Sequence, residues 1–288
     1  MSSSAFSTHL MGGEITAKQI GPLEYEINMV LYRDAFGIDM DQTQQYSIFN
    51  QAGQNIGVYD FNFRSSVSGD QVSGFPYGVE PYYFRDVITL PYGGVYRIAW
   101  VDCCRNEAIL NLTYPLNDNM YLSTTLTAYH SYHNSTPEFL SPPVVYLPVL
   151  THWQYNPLPV DTDGDSLAWV IDNVYRNYDG EYATNTSYPC GGWELPYSAP
   201  ADTFSIDHQT GIISWMASTL GNFVASVLVT EFRDGQEIGR VRRDMQFVVV
   251  PSGGDEPPAL AINGEQLNMH GNPQFNMVPG QTLKIQVF

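Results

Sequence analysis

Short stretches of alternating polar and apolar residues run along most of the chain, with turn-forming residues about every ten positions. This period of two places one row of side chains on each face of a half-buried strand, and no segment keeps a helical period over three turns. A first series of predicted strands covers 24–32, 46–50, 55–63, 82–90, 95–102 and 122–129. We therefore predict an all-β protein made of β-sandwiches.

A second series of predicted strands covers 144–147, 167–174, 202–207, 211–215, 221–230 and 237–250, with Asp234-Gly235 as a hairpin turn. A stretch containing Pro137, Pro142 and Pro143 separates the two series. We predict an N-terminal sandwich over 1–135, a second sandwich over 136–251, and a linker followed by a truncated third β-domain over 252–288. Because the last strand pattern stops with the chain, we expect a fragment of a longer protein.

Charge narrows the range of partners. Lys and Arg total 12 against 30 for Asp and Glu, a net charge of −18. Nucleic acid and anionic membranes are repelled by such a chain. The Tyr-rich, Lys-poor composition is typical of extracellular β-proteins, and no run reaches the roughly 20 apolar residues of a transmembrane helix. We expect a secreted protein whose signal peptide is absent from this chain.

Three carboxylates alternate in the loop that precedes strand 167–174. Asp161, Asp163 and Asp165 repel one another unless a cation or solvent screens them, and hard oxygen ligands suit Ca²⁺. Glu231 or Glu138 is expected to complete the ligand shell. The alternative is a plain acidic turn, since Asp and Gly favour such loops for backbone reasons. The sequence therefore predicts a candidate Ca²⁺ site at Asp161, Asp163, Asp165 and Glu231.

Aromatic residues crowd the long loop 175–201. Tyr175, Tyr178, Tyr182 and Trp193 are predicted to present rings to a glycan or to a partner protein. The alternative is packing in the core, which is the interpretation we give to Trp100, Trp169 and Trp215.

The sequence gives little support for a catalytic function. The six histidines are scattered, no Gly-x-Ser-x-Gly elbow occurs, and His130 and His133 would point to opposite faces of a strand. Arg240, Arg242 and Arg243 are predicted to lie on an outward strand face opposite acidic partners. We predict a protein that is not an enzyme.

Cysteine pairing stays open at this stage. Cys103 and Cys104 are adjacent and Cys190 is distant, a spacing that fits no zinc motif. A bond within the adjacent pair, a bond from one of them to Cys190, and three free thiols are all compatible with the sequence.

Several blocks together resemble a known family. The segments 8–16 (THLMGGEIT), 31–34 (LYRD), 103–106 (CCRN), 139–147 (FLSPPVVYL) and 242–247 (RRDMQF) resemble large gliding-motility-associated surface proteins of Bacteroidetes, which the type IX system secretes. The segments 163–167 (DGDSL), 204–211 (FSIDHQTG) and 221–223 (GNF) are similar to the cadherin-like Ig repeat of bacterial adhesins. Ala35 and Pro148 stand where such proteins often carry cysteine, which leaves the roles of the three cysteines in doubt.

The resemblance implies tandem Ig-like or cadherin-like β-sandwiches in a cell-surface adhesin, or in a stalk or filament. Its partners would be other modules of the same large protein, or an extracellular protein or glycan. The alternative is a carbohydrate-binding module of a secreted polysaccharide-acting protein.

Overall fold

The computed structural model describes residues 10–35, 37, 39–66, 78–177, 183–198, 203–252, 260–262, 265–267 and 285–287. Residues Met1–Val250 form one compact unit and Pro251–Phe288 form a second. Within the described ranges, no helix is both long and apolar enough to cross a membrane.

Seven strands occupy the first part of the larger unit. They are β1 (Leu10–Gly21), β2 (Glu24–Asp34), β3 (Gln44–Asn50), β4 (Asn55–Ser66), β5 (Val79–Thr89), β6 (Gly94–Asp102) and β7 (Met120–Ala128). They are hydrogen-bonded in the order β1-β2-β5-β4-β3-β6-β7. In Ig nomenclature this order is A-B-E-D followed by C-F-G, the two sheets of an Ig-like sandwich, here joined through the β3–β4 hairpin.

Aromatic and aliphatic side chains fill the first sandwich. Trp100 of β6 is fully buried, and its indole Nε1 donates to Oε1 of Gln44 at 2.8 Å. The Tyr96 hydroxyl donates to the carbonyl oxygen of Tyr92 at 2.6 Å, which is the tyrosine corner of Ig-like domains. Ile98 stands two residues further on, where Ig domains carry an inter-sheet cysteine, and it is fully buried. Apolar packing therefore takes the place of a disulfide here.

Eleven strands, most of them short, follow in the larger unit. They are β8 (Glu138–Phe139), β9 (Val144–Pro148), β10 (Trp153–Tyr155), β11 (Pro159–Val160), β12 (Ser166–Asp172), β13 (Tyr175–Arg176), β14 (Tyr188–Pro189), β15 (Ser205–Ile206), β16 (Ile213–Trp215), β17 (Gly221–Arg233) and β18 (Gln236–Val250). One sheet runs β9-β18-β17-β12 and the facing sheet runs β10-β16-β15. Trp215 lies between them, with ring centroids 5.5 Å from Phe223 and 5.7 Å from Phe247. This is a second Ig-like sandwich.

Strand β18 belongs to both sandwiches. Its first part pairs with β17 and with β7, at Gly239–Leu126 through Val241–Thr124. Its middle pairs with β1 at Asp244–Gly13, and its last residues run parallel to β9. The two sandwiches are therefore joined through shared sheet rather than through a flexible connection. The boundary predicted at 135/136 stays a prediction.

In the smaller unit, β19 (Leu260–Ile262) pairs with both β20 (Glu265–Leu267) and β21 (Ile285–Val287). The third β-domain predicted over 252–288 also stays a prediction.

The predicted all-β, Ig-like sandwich fold is confirmed, and the strands of both series occur. Asp234 and Gly235 have φ values of 53° and 76°, as the predicted hairpin turn between β17 and β18 requires. Trp100, Trp169 and Trp215 are buried in the cores, as predicted. Strand β1 was not predicted.

Candidate functional site

The acidic loop lies between β11 and β12, against the end of β17. Oδ1 of Asp161 accepts hydrogen bonds from the backbone N–H of Asp163 and of Asp165, both at 3.0 Å. Gly164 has a φ of 80°, a conformation that glycine adopts without strain. The loop is thus folded around one oxygen of Asp161. The second oxygen, Oδ2, is buried and has no hydrogen-bond partner among the described residues.

Asp163 points away from its two neighbours and holds the connection between the sandwiches. Its Oδ1 lies 2.7 Å from Nδ1 of His133, and its Oδ2 accepts from the backbone N–H of Ser135 at 2.6 Å. Ser135 and Thr136 in turn accept from backbone N–H groups of β1. This carboxylate is satisfied by hydrogen bonds.

Asp165 is bound by an arginine at the end of β17. Arg233 donates through Nε and Nη2 to the two Asp165 oxygens, with the Nε bond at 2.6 Å. It also donates to the carbonyl oxygen of His133 at 2.7 Å and lies 4.5 Å above the Tyr132 ring centroid. Hydrogen bonding to Asp165 raises the pKa of Arg233, so this guanidinium stays charged.

Glu231 of β17 completes the arrangement from the opposite strand. It is 1% exposed, and neither carboxylate oxygen has a hydrogen-bond partner among the described residues. Its cross-strand neighbour on β18 is Gly239, where an added Cβ would collide with Glu231 Oε2. The absence of a side chain at Gly239 makes room for the Glu231 carboxylate.

Asp161, Asp165 and Glu231 form what we call the carboxylate cluster. One oxygen from each lies within 4.8 Å of the others. Two oxygens bound to one Ca²⁺ at 2.3–2.6 Å are separated by at most about 5 Å, so the spacing suits a shared cation. Burial raises the pKa of Glu231 to about 9, helped next by Asp161, which can accept a hydrogen bond from the protonated form and repels the ionised form, and then by the charges of Asp165 and Asp163.

The structure therefore brings together three of the four predicted ligands and directs Asp163 elsewhere. The alternative ligand Glu138 lies on β8 and lines a separate cleft with Glu14. The oxygen ligands of the carboxylate cluster suit a hard divalent cation, and in the described part of the chain one arginine, Arg233, binds the cluster, through Asp165 alone. The predicted Ca²⁺ site remains a prediction.

The predicted aromatic surface is only partly described. Tyr175 is half-buried with the Arg242 guanidinium 4.0 Å from its ring centroid. Trp193 is half-buried and packs against the core of the second sandwich and against a smaller apolar cluster that contains Cys190 and Val224. Its Nε1 donates to the carbonyl oxygen of Val224 at 3.0 Å. Tyr178 and Tyr182 lie outside the described residues. Tyr175 and Trp193 thus have packing roles, and the binding role predicted for this loop stays a prediction.

A second buried charge cluster was missed by sequence reasoning. Arg105 donates to both oxygens of Asp244, at 3.0 and 2.6 Å, and both side chains are fully buried. Burial is the largest single influence and lowers the pKa of Arg105, but the charge of Asp244, its hydrogen bonds and the interactions with Cys190 together outweigh it, so the net shift is upward. Asp244 lies on the shared strand β18, which places this ion pair at the junction of the sandwiches.

Its neighbour Arg243 makes a second buried ion pair, on the other face of β18. Its Nε donates to Glu14 of β1 at 2.8 Å, its Nη1 donates to the Tyr155 hydroxyl at 2.8 Å, and its Nη2 donates to the Ser141 carbonyl. Its guanidinium lies 4.7 Å from the Phe139 ring centroid. We call Glu14, Arg105, Arg243 and Asp244 the joint cluster.

The outward strand face predicted for Arg240, Arg242 and Arg243 is therefore wrong for Arg243, which is 1% exposed in its side chain. Arg240 pairs with Glu237 at the surface, and Arg242 pairs with Asp172. Arg243 is drawn inward because β1 crosses β18 at this point and supplies Glu14.

The cysteines take one of the three open arrangements. Cys103 and Cys104 are bonded to each other, and Cys190 is free and buried. Burial is the main cause that raises the pKa of the Cys190 thiol to about 12, so this cysteine is a protonated core residue.

Comparison with known proteins adds little beyond the fold. No family model and no curated protein match the chain. The two tandem V-type regions of VCBP3, a v-region-containing chitin binding protein, superpose with a TM-score of 0.38 at 12% identity over 80% of this chain and 94% of that chain. The N-terminal four Ig domains of Dscam1 isoform 6.44 superpose with a TM-score of 0.19 at 9% identity over 88% of this chain and 80% of that chain.

Both neighbours contain Ig-type domains, but at these scores their likeness carries no information on ligand or activity. The Ig-like assignment of this chain rests on its own strand order. Ig-like sandwiches are common in cell-surface proteins.

Proposed function

We propose that this chain is a non-catalytic part of a secreted cell-surface protein, an adhesin or stalk component, and that its carboxylate cluster binds Ca²⁺. The observation that carries the calcium proposal is Glu231, a buried side chain whose two oxygens have no hydrogen-bond partner among the described residues and which lies beside Asp161, itself with one such oxygen. Unsatisfied buried carboxylates are costly. A divalent cation would satisfy all three oxygens and balance their charge.

The location of the site supports a mechanical role for the cation. Asp163 and Arg233 hold the connection between the sandwiches at His133 and Ser135. A cation bound by Asp161, Asp165 and Glu231 would fix the loop and the end of β17 that present these two side chains. Calcium would then stiffen the connection, which suits a protein that bears load at a surface.

We further propose a place among the gliding-motility-associated, type IX-secreted surface proteins of Bacteroidetes. The support is that four of the five blocks that carry this resemblance, all except 31–34, supply residues of the joint cluster or residues that contact it. Gly12 lies where a Cβ would come within 2.6 Å of the Asp244 carbonyl, and Arg105, Ser141 and Arg243 come from three further blocks. The shared pattern thus corresponds to one physical feature, the junction of two sandwiches. Detection of this chain on intact cells by a specific antibody tests the surface location, and its loss after protease treatment of those cells is expected.

Thermal unfolding with and without Ca²⁺ tests the metal site. After removal of divalent cations with a chelator, millimolar Ca²⁺ is expected to raise Tm, since a ligand at 100 times its Kd stabilises the folded state by about 2.7 kcal/mol. Glu231→Gln should abolish the rise because it removes a charged ligand. Glu237→Gln, which removes an exposed carboxylate, should retain it.

Two results would contradict the proposal. One is a wild-type Tm that ignores Ca²⁺, which would mean that Glu231 and Asp161 are satisfied by a shared proton. The other is an unchanged rise in Glu231→Gln, which would place the ion elsewhere. Mg²⁺ at the same concentration serves as the test of selectivity, since its smaller shell demands stricter octahedral geometry.

A further inference from the structure

A polar pocket of about 320 Å³ opens beside the first sandwich, and its described lining includes no residue of the carboxylate cluster. It lies between the β3–β4 turn, strands β6 and β7, and the loop that contains Asn185. Its main polar side chains are Asn50, Gln51, Arg97, Thr125 and Asn185. This volume is at the lower end of the range of about 300–1,000 Å³ for small-molecule sites.

Arg97 is the unusual residue of this pocket. Eight other arginines form ion pairs with carboxylates. Among the described residues, Arg97 and the exposed Arg64 have no such partner. Arg97 is half-buried, donates to the carbonyl oxygen of Asn185, and lies 5.6 Å from the Phe49 ring centroid. Its Nε is buried without an acceptor in the described part of the chain.

A half-buried guanidinium without an anion is out of place in a chain with a net charge of −18, where carboxylates are abundant. Nη2 of Arg97 is bonded to Asn185 and its Nε is buried, so the remaining N–H groups of the guanidinium are those left to donate charge-assisted hydrogen bonds to a carboxylate. The described residues that line the pocket include no second cation, whereas phosphate-rich polymers are bound by several. The geometry therefore favours a ligand with one carboxylate per recognised unit.

The other groups around Arg97 are neutral hydrogen-bonding groups. The side chains of Gln51, Thr125 and Asn185 line the pocket and offer amides and a hydroxyl of the kind that bind sugar hydroxyls. Asn50 is held in place, since its Nδ2 donates to Gln54 at 3.0 Å and to the Tyr92 hydroxyl at 3.2 Å. Tyr92 is 49% exposed and supplies an aromatic surface near the pocket, as glycan sites often do.

We propose that this pocket binds an acidic saccharide, with Arg97 on the carboxylate of a uronic acid and the surrounding amides on its hydroxyl groups. The proposal supplies a ligand class for the surface protein proposed above and rests on it in that respect. It uses none of the carboxylate-cluster residues. It also moves the predicted glycan contact away from Tyr175 and Trp193, which are engaged in packing.

The test compares one ligand in its charged and uncharged forms. Oligomers of galacturonic acid and their methyl esters differ only in the carboxylate, and calorimetry in calcium-free buffer measures binding of each. We expect the acid form to bind at least tenfold more tightly than the ester, with an affinity that weakens as salt is added. Equal affinities for acid and ester would overturn the proposal.

Variants then assign the binding to Arg97. Arg97→Gln should weaken binding of the acid form at least tenfold, Arg97→Lys should restore part of it, and Arg64→Gln should leave it unchanged. Binding that persists in Arg97→Gln overturns the assignment. Binding of poly-glutamate in preference to the oligosaccharide also overturns it, since the pocket would then serve a protein. If Arg97→Gln fails to fold, Gln51→Ala at the exposed rim takes its place, and the acid–ester comparison on the wild type stands alone.

The two proposals are separable. Arg97→Gln should keep the rise of Tm with Ca²⁺, and Glu231→Gln should keep the binding of galacturonate oligomers. A lost calcium response with retained saccharide binding would leave this inference standing, and the converse would leave the metal site standing.

Discussion

The joint cluster and the carboxylate cluster are both buried charge clusters at the junction of the sandwiches, yet they differ in their balance. In the joint cluster, two arginines pair with two carboxylates. Arg105 and Arg243 each donate at least three hydrogen bonds to oxygen atoms of the chain. In the carboxylate cluster, Arg233 pairs with Asp165, while three buried oxygens of Asp161 and Glu231 receive no hydrogen bond from any described residue.

This difference in charge balance distinguishes a cluster that stabilises the fold from a cluster that is a candidate binding site. Desolvation offsets much of the attraction within a buried ion pair, but removal of one partner leaves the other as an unmatched buried charge. Buried carboxylates that are not paired need something from outside the chain, a proton or a cation. The joint cluster therefore fastens the two sandwiches together, and the carboxylate cluster is the one for which we propose a bound cation.

The largest effect is expected from breaking the joint cluster. Arg105→Met leaves Asp244 as a buried, unmatched charge and should lower the free energy of unfolding by about 3–5 kcal/mol, measured by urea denaturation. Arg105→Met with Asp244→Leu should recover much of the loss. Arg240→Gln removes an exposed pair and should cost less than about 1 kcal/mol. A single variant that unfolds like the wild type would show that the pair does not fasten the sandwiches.

An intermediate effect is expected from pH at the carboxylate cluster. The pKa of Glu231 is raised to about 9 in the folded protein, so the folded state retains a proton that the unfolded state releases above its ordinary pKa near 4.5. In calcium-free buffer, the free energy of unfolding should therefore fall as pH rises from about 4.5 to about 9. Measured between pH 6 and pH 8, the fall from this group is at most about 2.8 kcal/mol, at about 1.4 kcal/mol per pH unit.

The matched variant Glu231→Gln should flatten this part of the stability–pH curve, and Glu237→Gln should not. Saturating Ca²⁺ should flatten it too, since the cation takes the place of the proton. Identical curves for wild type and Glu231→Gln would mean that Glu231 is ionised in the folded protein without a cation.

The smallest effect on stability is expected at Gly239, which makes room for Glu231. In Gly239→Ala the new methyl group would collide with Glu231 Oε2 and lie 3.2 Å from the Thr125 carbonyl. Because the carboxylate end of Glu231 is able to swing aside, the cost should be about 1 kcal/mol. The calcium-dependent rise in Tm should nevertheless disappear. An unchanged calcium affinity in calorimetry would mean that the space at Gly239 is not needed for the calcium site.

The strands that the sequence predicted are those in which more exposed and buried residues alternate along the strand itself. β2 alternates half-buried and buried residues along most of its length, so its sequence carries the period of two. Strand β1 is buried on both faces for its first six residues, and a strand packed on both sides shows no alternation. The two glycines at its start, which let β2 and β18 approach closely, also resemble loop residues.

Site residues, like strands, were predictable where the signal lies within a short stretch of sequence. Asp161 and Asp165 were predictable because one short loop carries both, and Glu231 because it ends a neighbouring strand. The spacing that predicted Asp163 as a ligand did not reveal that His133 and Ser135 would come within reach of it. The joint cluster was beyond prediction, since its partners are separated by 139 and 229 residues and contact depends on the whole topology.

The shared strand β18 has a consequence for how the chain acquires its structure. Its pairing with β1 joins residues at opposite ends of the larger unit, and Arg243 contacts Glu14 across 229 residues. Contacts of such sequence separation are made late, because the entropy of closing the intervening chain must be overcome first. The first sandwich lacks its neighbouring strand until residue 250 is available. A nascent or partly translocated chain would therefore expose the edge of β7, and interruption at this stage would favour pairing between copies.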